Sequence, residues 1–91
     1  MRTLQIVKDL VAPPLDVEFP PSLAVKSDYT LKGSTEPGAK VFISGKEAPV
    51  TKEGLFTYDL HLHRGGNVIV AEAVDAAGNV TYRSKVVNGK F

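Results

Sequence analysis

The 91-residue chain has no cysteine, no tryptophan and no excess of charge: 11 Lys and Arg stand against 10 Asp and Glu, for a net charge of +1. Without cysteine there are no disulfides, no thiol catalysis and no thiolate metal sites, and the chain stays compatible with any redox compartment. The balanced charge supplies neither the positive field that a nucleic-acid binder uses nor an acidic tail, so nucleic acid is not expected as a partner. Apolar runs extend only a few residues, against the roughly 20 needed by a bilayer-spanning helix, and no membrane insertion is expected. Residues 1–14 do not read as a secretory signal, because Lys8 and Asp9 interrupt the apolar stretch. A chain of this length holds one domain, and without covalent staples its stability must come from packing.

What is present is alternation. The apolar residues, 43% of the chain, recur at spacing two in short segments separated by Gly, Pro, Asn and Asp, with no sustained 3.6-residue period. Leu15–Phe19 alternates between Pro13-Pro14 and Pro20-Pro21. Tyr29, Leu31 and Gly33 share one face of a second strand, which ends in Glu36-Pro37-Gly38, a sequence suited to a type II turn. Val41 and Ile43 then oppose Lys40, Phe42 and Ser44, and a short segment, 47–51, leads to a turn at Lys52-Glu53-Gly54. In 54–62, Phe56, Tyr58, Leu60 and Leu62 oppose Thr57, Asp59, His61 and His63. The stretch 67–74 is apolar on both faces, as a central strand is, with Ile69, Ala71 and Ala73 on one side and Val68, Val70 and Val74 on the other. Asp75–Asn79 is a tight turn in which the Asp carboxylate accepts backbone N–H groups and Gly78 adopts positive φ, and 80–87 is the last strand. About seven short antiparallel strands with a turn every ten residues or so predict a β-sandwich. The expected core is Leu15, Val17, Leu31, Val41, Ile43, Phe56, Tyr58, Leu60, Ile69, Ala71, Ala73, Tyr82 and Val86.

The fragments Pro14-Leu15-Asp16-Val17, Gly33-Ser34-Thr35-Glu36-Pro37-Gly38-Ala39-Lys40-Val41, Gly45, Gly54-Leu55-Phe56, Gly66-Asn67-Val68-Ile69 and Ala73-Val74-Asp75-Ala76-Ala77-Gly78-Asn79 occur in this order across 13–87. Together they resemble the bacterial immunoglobulin-like repeat of surface proteins, adhesins and secreted polysaccharide-degrading enzymes. The resemblance implies an immunoglobulin-like β-sandwich, used in tandem outside the cell or in its envelope, with no shared catalytic residues. Leu55 and the pair Lys52-Glu53 depart from the family's usual pattern without affecting the fold.

Residues 1–12 fall outside the match. Leu4–Asp9 aligns faintly with Ser84–Gly89 one module length later, which makes 1–12 the end of a preceding module plus a stiff Pro-containing linker, Leu10–Pro14. The alternative is an extra edge strand of the module spanning 13–91.

The residue types that could carry chemistry are few. His61 and His63 point the same way from one strand, with Asp59 beside them, and could hold zinc if a neighbouring strand supplied a third ligand; a row of solvent-facing polar side chains is the plainer reading. Asp75 and Asn79, with Asp28, Glu53 and Asp16, offer oxygen donors for calcium in predicted turns, but nothing resembles a twelve-residue calcium loop, and Asp75 is also a natural turn cap. No serine lies in a strained nucleophile turn or at a recognisable spacing from a histidine and an acid. Arg64-Gly65-Gly66 lacks phosphate-loop spacing. No catalysis and no cofactor are expected.

An interaction surface has more support. Phe42, Val68, Val70 and Val74 fall on the outward faces of neighbouring strands, where an apolar stripe marks a contact surface unless the stems of Lys40, Arg83 and Lys85 cover it. Glycan binding would call for an aromatic platform, and Tyr29, Tyr58 and Tyr82 are all expected at inward or edge positions. The sequence therefore reads as a non-catalytic spacer or stalk module of a larger bacterial surface or secreted protein, partnered by neighbouring domains of the same polypeptide. The alternative is a recognition module for a surface protein or a cell-wall polysaccharide.

Overall fold

The computed structural model describes residues 11–91, and the reading of 1–10 lies outside the described residues. Eight strands follow one another: β1 (Leu15–Glu18), β2 (Leu23–Ala24), β3 (Asp28–Thr35), β4 (Lys40–Ile43), β5 (Lys46–Ala48), β6 (Leu55–His61), β7 (Gly65–Val74) and β8 (Val80–Gly89). They form a three-stranded sheet, β1-β3-β6, and a five-stranded sheet, β2-β8-β7-β4-β5, packed as an immunoglobulin-like sandwich. Seven of the strands match the alternating segments of the sequence. The eighth, β2, is two residues long and pairs parallel with the end of β8, so the first run of chain crosses from one sheet to the other at Pro20-Pro21. No helix among the described residues is long and apolar enough to cross a membrane.

The inward rows fill the space between the sheets. Leu15, Leu31, Phe56 and Leu62 from one sheet meet Val41, Ile43, Ile69, Ala71, Ala73 and Val87 from the other, with Val17, Tyr58 and Leu60 packed against them. Each large aliphatic or aromatic side chain buried here contributes roughly 1.5–3 kcal/mol. Gly33 is part of this packing, because its Cβ would run into the Phe56 ring and the Asp16 carbonyl, so Phe56 lies over the bare backbone of its cross-strand partner. Pro13 is buried, and its carbonyl accepts the Thr81 hydroxyl (2.6 Å); the Pro14 carbonyl accepts the hydroxyl of buried Thr35 (2.7 Å). Both prolines thus belong to the body of the module.

Two core assignments are corrected. Tyr82 is 61% exposed and Val86 64% exposed, while Val87 is fully buried. In the antiparallel β7/β8 pair Tyr82 lies opposite Glu72 and Val86 opposite Val68, which puts both on the outer face, whereas Thr81, Arg83, Lys85 and Val87 pair with Ala73, Ala71, Ile69 and Asn67 on the inner one. β8 lies towards the edge of its sheet, flanked beyond β7 only by the two-residue β2, and its inner row is free to be polar: Lys85 stretches across to donate to the Pro20 carbonyl (2.9 Å). Apolarity alone chose the wrong phase. For the same reason Arg83 and Lys85 cannot cover the outer face. Turned inward on an edge, such charges also discourage strand addition.

Candidate functional site

Three places on the molecule bear on function. The first is the end of the sandwich where β6 leaves its sheet. His61 sits opposite Asp28 in the β3/β6 ladder, and its Nδ1 lies 2.9 Å from Asp28 Oδ1. The rings of His61 and His63 stand edge to face with centroids 6.3 Å apart. Asp59, two residues before His61 on the same side of β6, lines the same groove as the two histidines and accepts from the Thr30 hydroxyl (3.2 Å). The backbone of His63 is fixed on both sides: its N–H donates to Asn67 Oδ1 and its carbonyl accepts from Asn67 Nδ2, each at 2.9 Å. The same Nδ2 donates to the carbonyls of Gly65 (3.1 Å) and Val87 (3.2 Å), so Asn67 ties the 63–67 turn to β8. Among the described residues no group of three or more His, Cys, Asp or Glu is placed to hold a metal ion.

Beside this end, the sheets part between β6 and β4 to leave an open groove of about 600 Å³, lined by Ile43, Ser44, Tyr58, Leu60, His63 and Asn67 among others. Buried Ile43, Leu62 and Ile69 line it together with exposed Ser44, Lys46, His61 and His63.

The second place is the β7/β8 turn. Asp75 Oδ1 accepts from the N–H groups of Ala77 (3.0 Å) and Asn79 (2.8 Å), and Oδ2 accepts from Asn79 Nδ2 (3.1 Å). Desolvation pushes the Asp75 carboxyl up, but the hydrogen bonds from Asn79, Ala77 and Gly78 outweigh it and hold the group below its ordinary value. Asp75 and Asn79 act here as the parts of a turn. The other oxygen donors considered for calcium are dispersed, with Asp28 paired to His61, Glu53 in the β5–β6 connection and Asp16 on β1.

The third is the outer face of the five-stranded sheet. Phe42, Val68, Val70 and Val74 all lie there, Val68 at 67% exposure and the other three half-buried. The structure adds Leu23, Val80, Tyr82 and Val86, which extend the patch across β7 and β8 to β2. The sequence held the signal for the three residues on β8. A three-residue hairpin loop after Asp75 fixes Val74 opposite Val80, and counting by twos along β8 from that pair sets Tyr82 and Val86 outward.

A family model described as glucodextranase, domain B, matches residues 15–91, from the first residue of β1 to the last of the chain. The chain belongs to the glucodextranase domain B family. In glucodextranase, domain B is an immunoglobulin-like, non-catalytic accessory unit of a secreted bacterial glycoside hydrolase, so the family agrees with the bacterial immunoglobulin-like resemblance read from the sequence. Among solved structures the chain is similar to CopC from Methylosinus trichosporium OB3b, with a TM-score of 0.53 and 17% identity over 84% of this chain and 92% of that one. At that identity the likeness bears on the sandwich fold alone. No curated protein sequence matches the chain.

Proposed function

We propose that the chain is a non-catalytic structural module of a larger secreted protein, and that it holds its place by packing the outer face of its five-stranded sheet against a neighbouring domain of the same polypeptide. The observation that carries this reading is the patch formed by Leu23, Val68, Tyr82 and Val86, each more than half exposed, together with half-buried Phe42 and Val70. Glu72 lies between Phe42 and Tyr82 on this face and Lys40 beside Val74, so the apolar side chains are interrupted by charge, but so many exposed apolar groups on a domain whose core is already filled by its opposite face mark a contact surface. Membership of an accessory-domain family supports an occupant within the parent polypeptide.

The test is calorimetry on the full-length secreted protein with Tyr82→Ser and Val86→Ser together. Both side chains are outside the core, so the isolated module should melt within a few degrees of wild type. In the full-length protein the module's transition should separate from that of its neighbour. Transitions that stay coupled as in wild type would refute the packing role.

A recognition role is favoured by one observation. Tyr82, expected at an inward or edge position, stands exposed on the outer face of the five-stranded sheet, which restores an aromatic contact for a sugar ring that the sequence argued against. Retention of the module on insoluble polysaccharide, lost in the Tyr82→Ser variant, would select recognition over spacing.

A further inference from the structure

We propose that His61 and His63 form a bidentate chelate for one borderline divalent ion, of the zinc, nickel or copper class, at the exposed end of β6. His61 ends β6 and His63 lies just beyond it, but burial still alternates, with Leu62 buried between the two exposed histidines, so both imidazoles leave the chain on one side with centroids 6.3 Å apart. An ion bound to one nitrogen of each ring at about 2.0–2.1 Å, with a tetrahedral angle between them, brings the centroids to roughly 5 Å. The remaining ångström or so is within reach of a rotamer adjustment, since both residues are exposed.

Two features prepare the pair. A carboxylate only accepts hydrogen bonds, so the 2.9 Å contact with Asp28 places the His61 proton on Nδ1 and leaves the Nε2 lone pair free. This is the carboxylate–histidine arrangement that orients metal-ligating imidazoles and raises their basicity. His63 is mounted on backbone clamped by Asn67 and packed against Gly89, where a Cβ would collide with the His63 carbonyl. The donor set selects the metal class: two imidazoles suit zinc, nickel or copper, whereas calcium and magnesium require a shell of oxygens. These are the only two histidines of the chain, which has no cysteine to compete. Asp28 is engaged by His61 Nδ1, and no third His, Cys, Asp or Glu among the described residues is placed to ligate the ion, so water completes the coordination and the site stays open.

The test is titration of the chain with zinc chloride, followed by calorimetry and by the ring C–H resonances of the two histidines. The expected result is one ion per chain, with both sets of ring signals shifting. Affinity should fall at least tenfold in His61→Ala and in His63→Ala, and about tenfold in Asp28→Asn, where the ring loses its orienting charge. Circular dichroism of each variant without metal should match wild type. Absence of binding, binding that leaves both rings unshifted, or unchanged affinity in the His61→Ala/His63→Ala double variant would overturn the proposal. Unchanged affinity in Asp28→Asn would overturn the positioning role given to Asp28.

Discussion

The turns at 51–55 and 75–79 are built on one plan from different side chains. In the first, Thr51 N–H donates to the Leu55 carbonyl (2.8 Å), Gly54 N–H to the Thr51 carbonyl (3.0 Å) and Leu55 N–H to the Thr51 hydroxyl (3.1 Å). In the second, Asp75 N–H donates to the Asn79 carbonyl (3.0 Å), Gly78 N–H to the Asp75 carbonyl (3.1 Å) and Asn79 N–H to the Asp75 carboxylate (2.8 Å). Each is a three-residue loop closed by a glycine at positive φ, +86° at Gly54 and +89° at Gly78. The surroundings differ. A Cβ at Gly54 would strike the carbonyl of Thr35, whose N–H is bonded to the Gly54 carbonyl (2.8 Å), whereas a Cβ at Gly78 meets nothing within 4 Å. The same local chemistry thus serves as a joint between elements at one position and as a free hairpin tip at the other.

The glycines give the widest separation between the two. Gly54→Ala combines left-handed strain with a backbone collision and a threatened hydrogen bond from Thr35 N–H, and should cost about 3 kcal/mol or more. That corresponds to a fall in melting temperature of roughly 12 °C or beyond for a domain of this size. Gly78→Ala carries the strain alone, about 1–2 kcal/mol, or roughly 4–16 °C. Thermal melts of the two variants measure the contrast directly. Equal losses would mean that the contact with Thr35 relaxes without cost. Thr51→Ala comes next. It removes one exposed hydroxyl acceptor while leaving both backbone bonds, for a loss of about 0.5–1 kcal/mol by the same melt.

Both turns are legible in the sequence as Gly-containing breaks between alternating segments, and the spacing of Asp75, Gly78 and Asn79 is enough to assign the Asp75 carboxylate to backbone N–H groups of its own turn. The likeness of the two is not legible, because Thr51 reads as the end of the preceding strand segment and a threonine there suits a strand as well as a cap. The faces of β3, β4 and β6 follow from alternation because each buries one clearly apolar row, and β7, apolar on both faces, takes its inward row of Ala71 and Ala73 from pairing with Ile43 and Val41 of β4. On β8 the rule breaks down. Its inward row is Thr81, Arg83, Lys85 and Val87, while Tyr82 and Val86 face out, so the more apolar row lies on the wrong side for a pattern argument. The outer patch is therefore half readable. Phe42, Val68, Val70 and Val74 come from strands flanked on both sides; Val80, Tyr82 and Val86 need the register that the 75–79 hairpin sets, which apolarity along β8 argues against, and Leu23 needs the sheet crossover at Pro20-Pro21, which depends on long-range pairing. At the histidine end the sequence supplies the two rings and Asp59 on their side of the strand, while Asp28 is brought to His61 only by the β3/β6 ladder.

Acid distinguishes the two turns in the last and smallest comparison. The Asp75 carboxyl is held below its ordinary value in the folded chain, so protonation is harder in the native state than in the unfolded one. Its contribution to stability is fully present above the unfolded pKa, near 3.9 for an aspartate, and is lost as pH falls through the lower folded value. Thr51 has nothing to titrate. Melting temperatures measured from pH 6 down to pH 2 should therefore fall less steeply below about pH 4 in Asp75→Asn than in wild type. Thr51→Ala should run parallel to wild type, displaced downward by a constant amount. If Asp75→Asn keeps the wild-type slope, the acid limb originates in other carboxylates and the hydrogen bonds at 75–79 hold the neutral side chain as well as the charged one. If the slope flattens, the charge itself keys this hairpin, and the two turns share a geometry while differing in what fastens it.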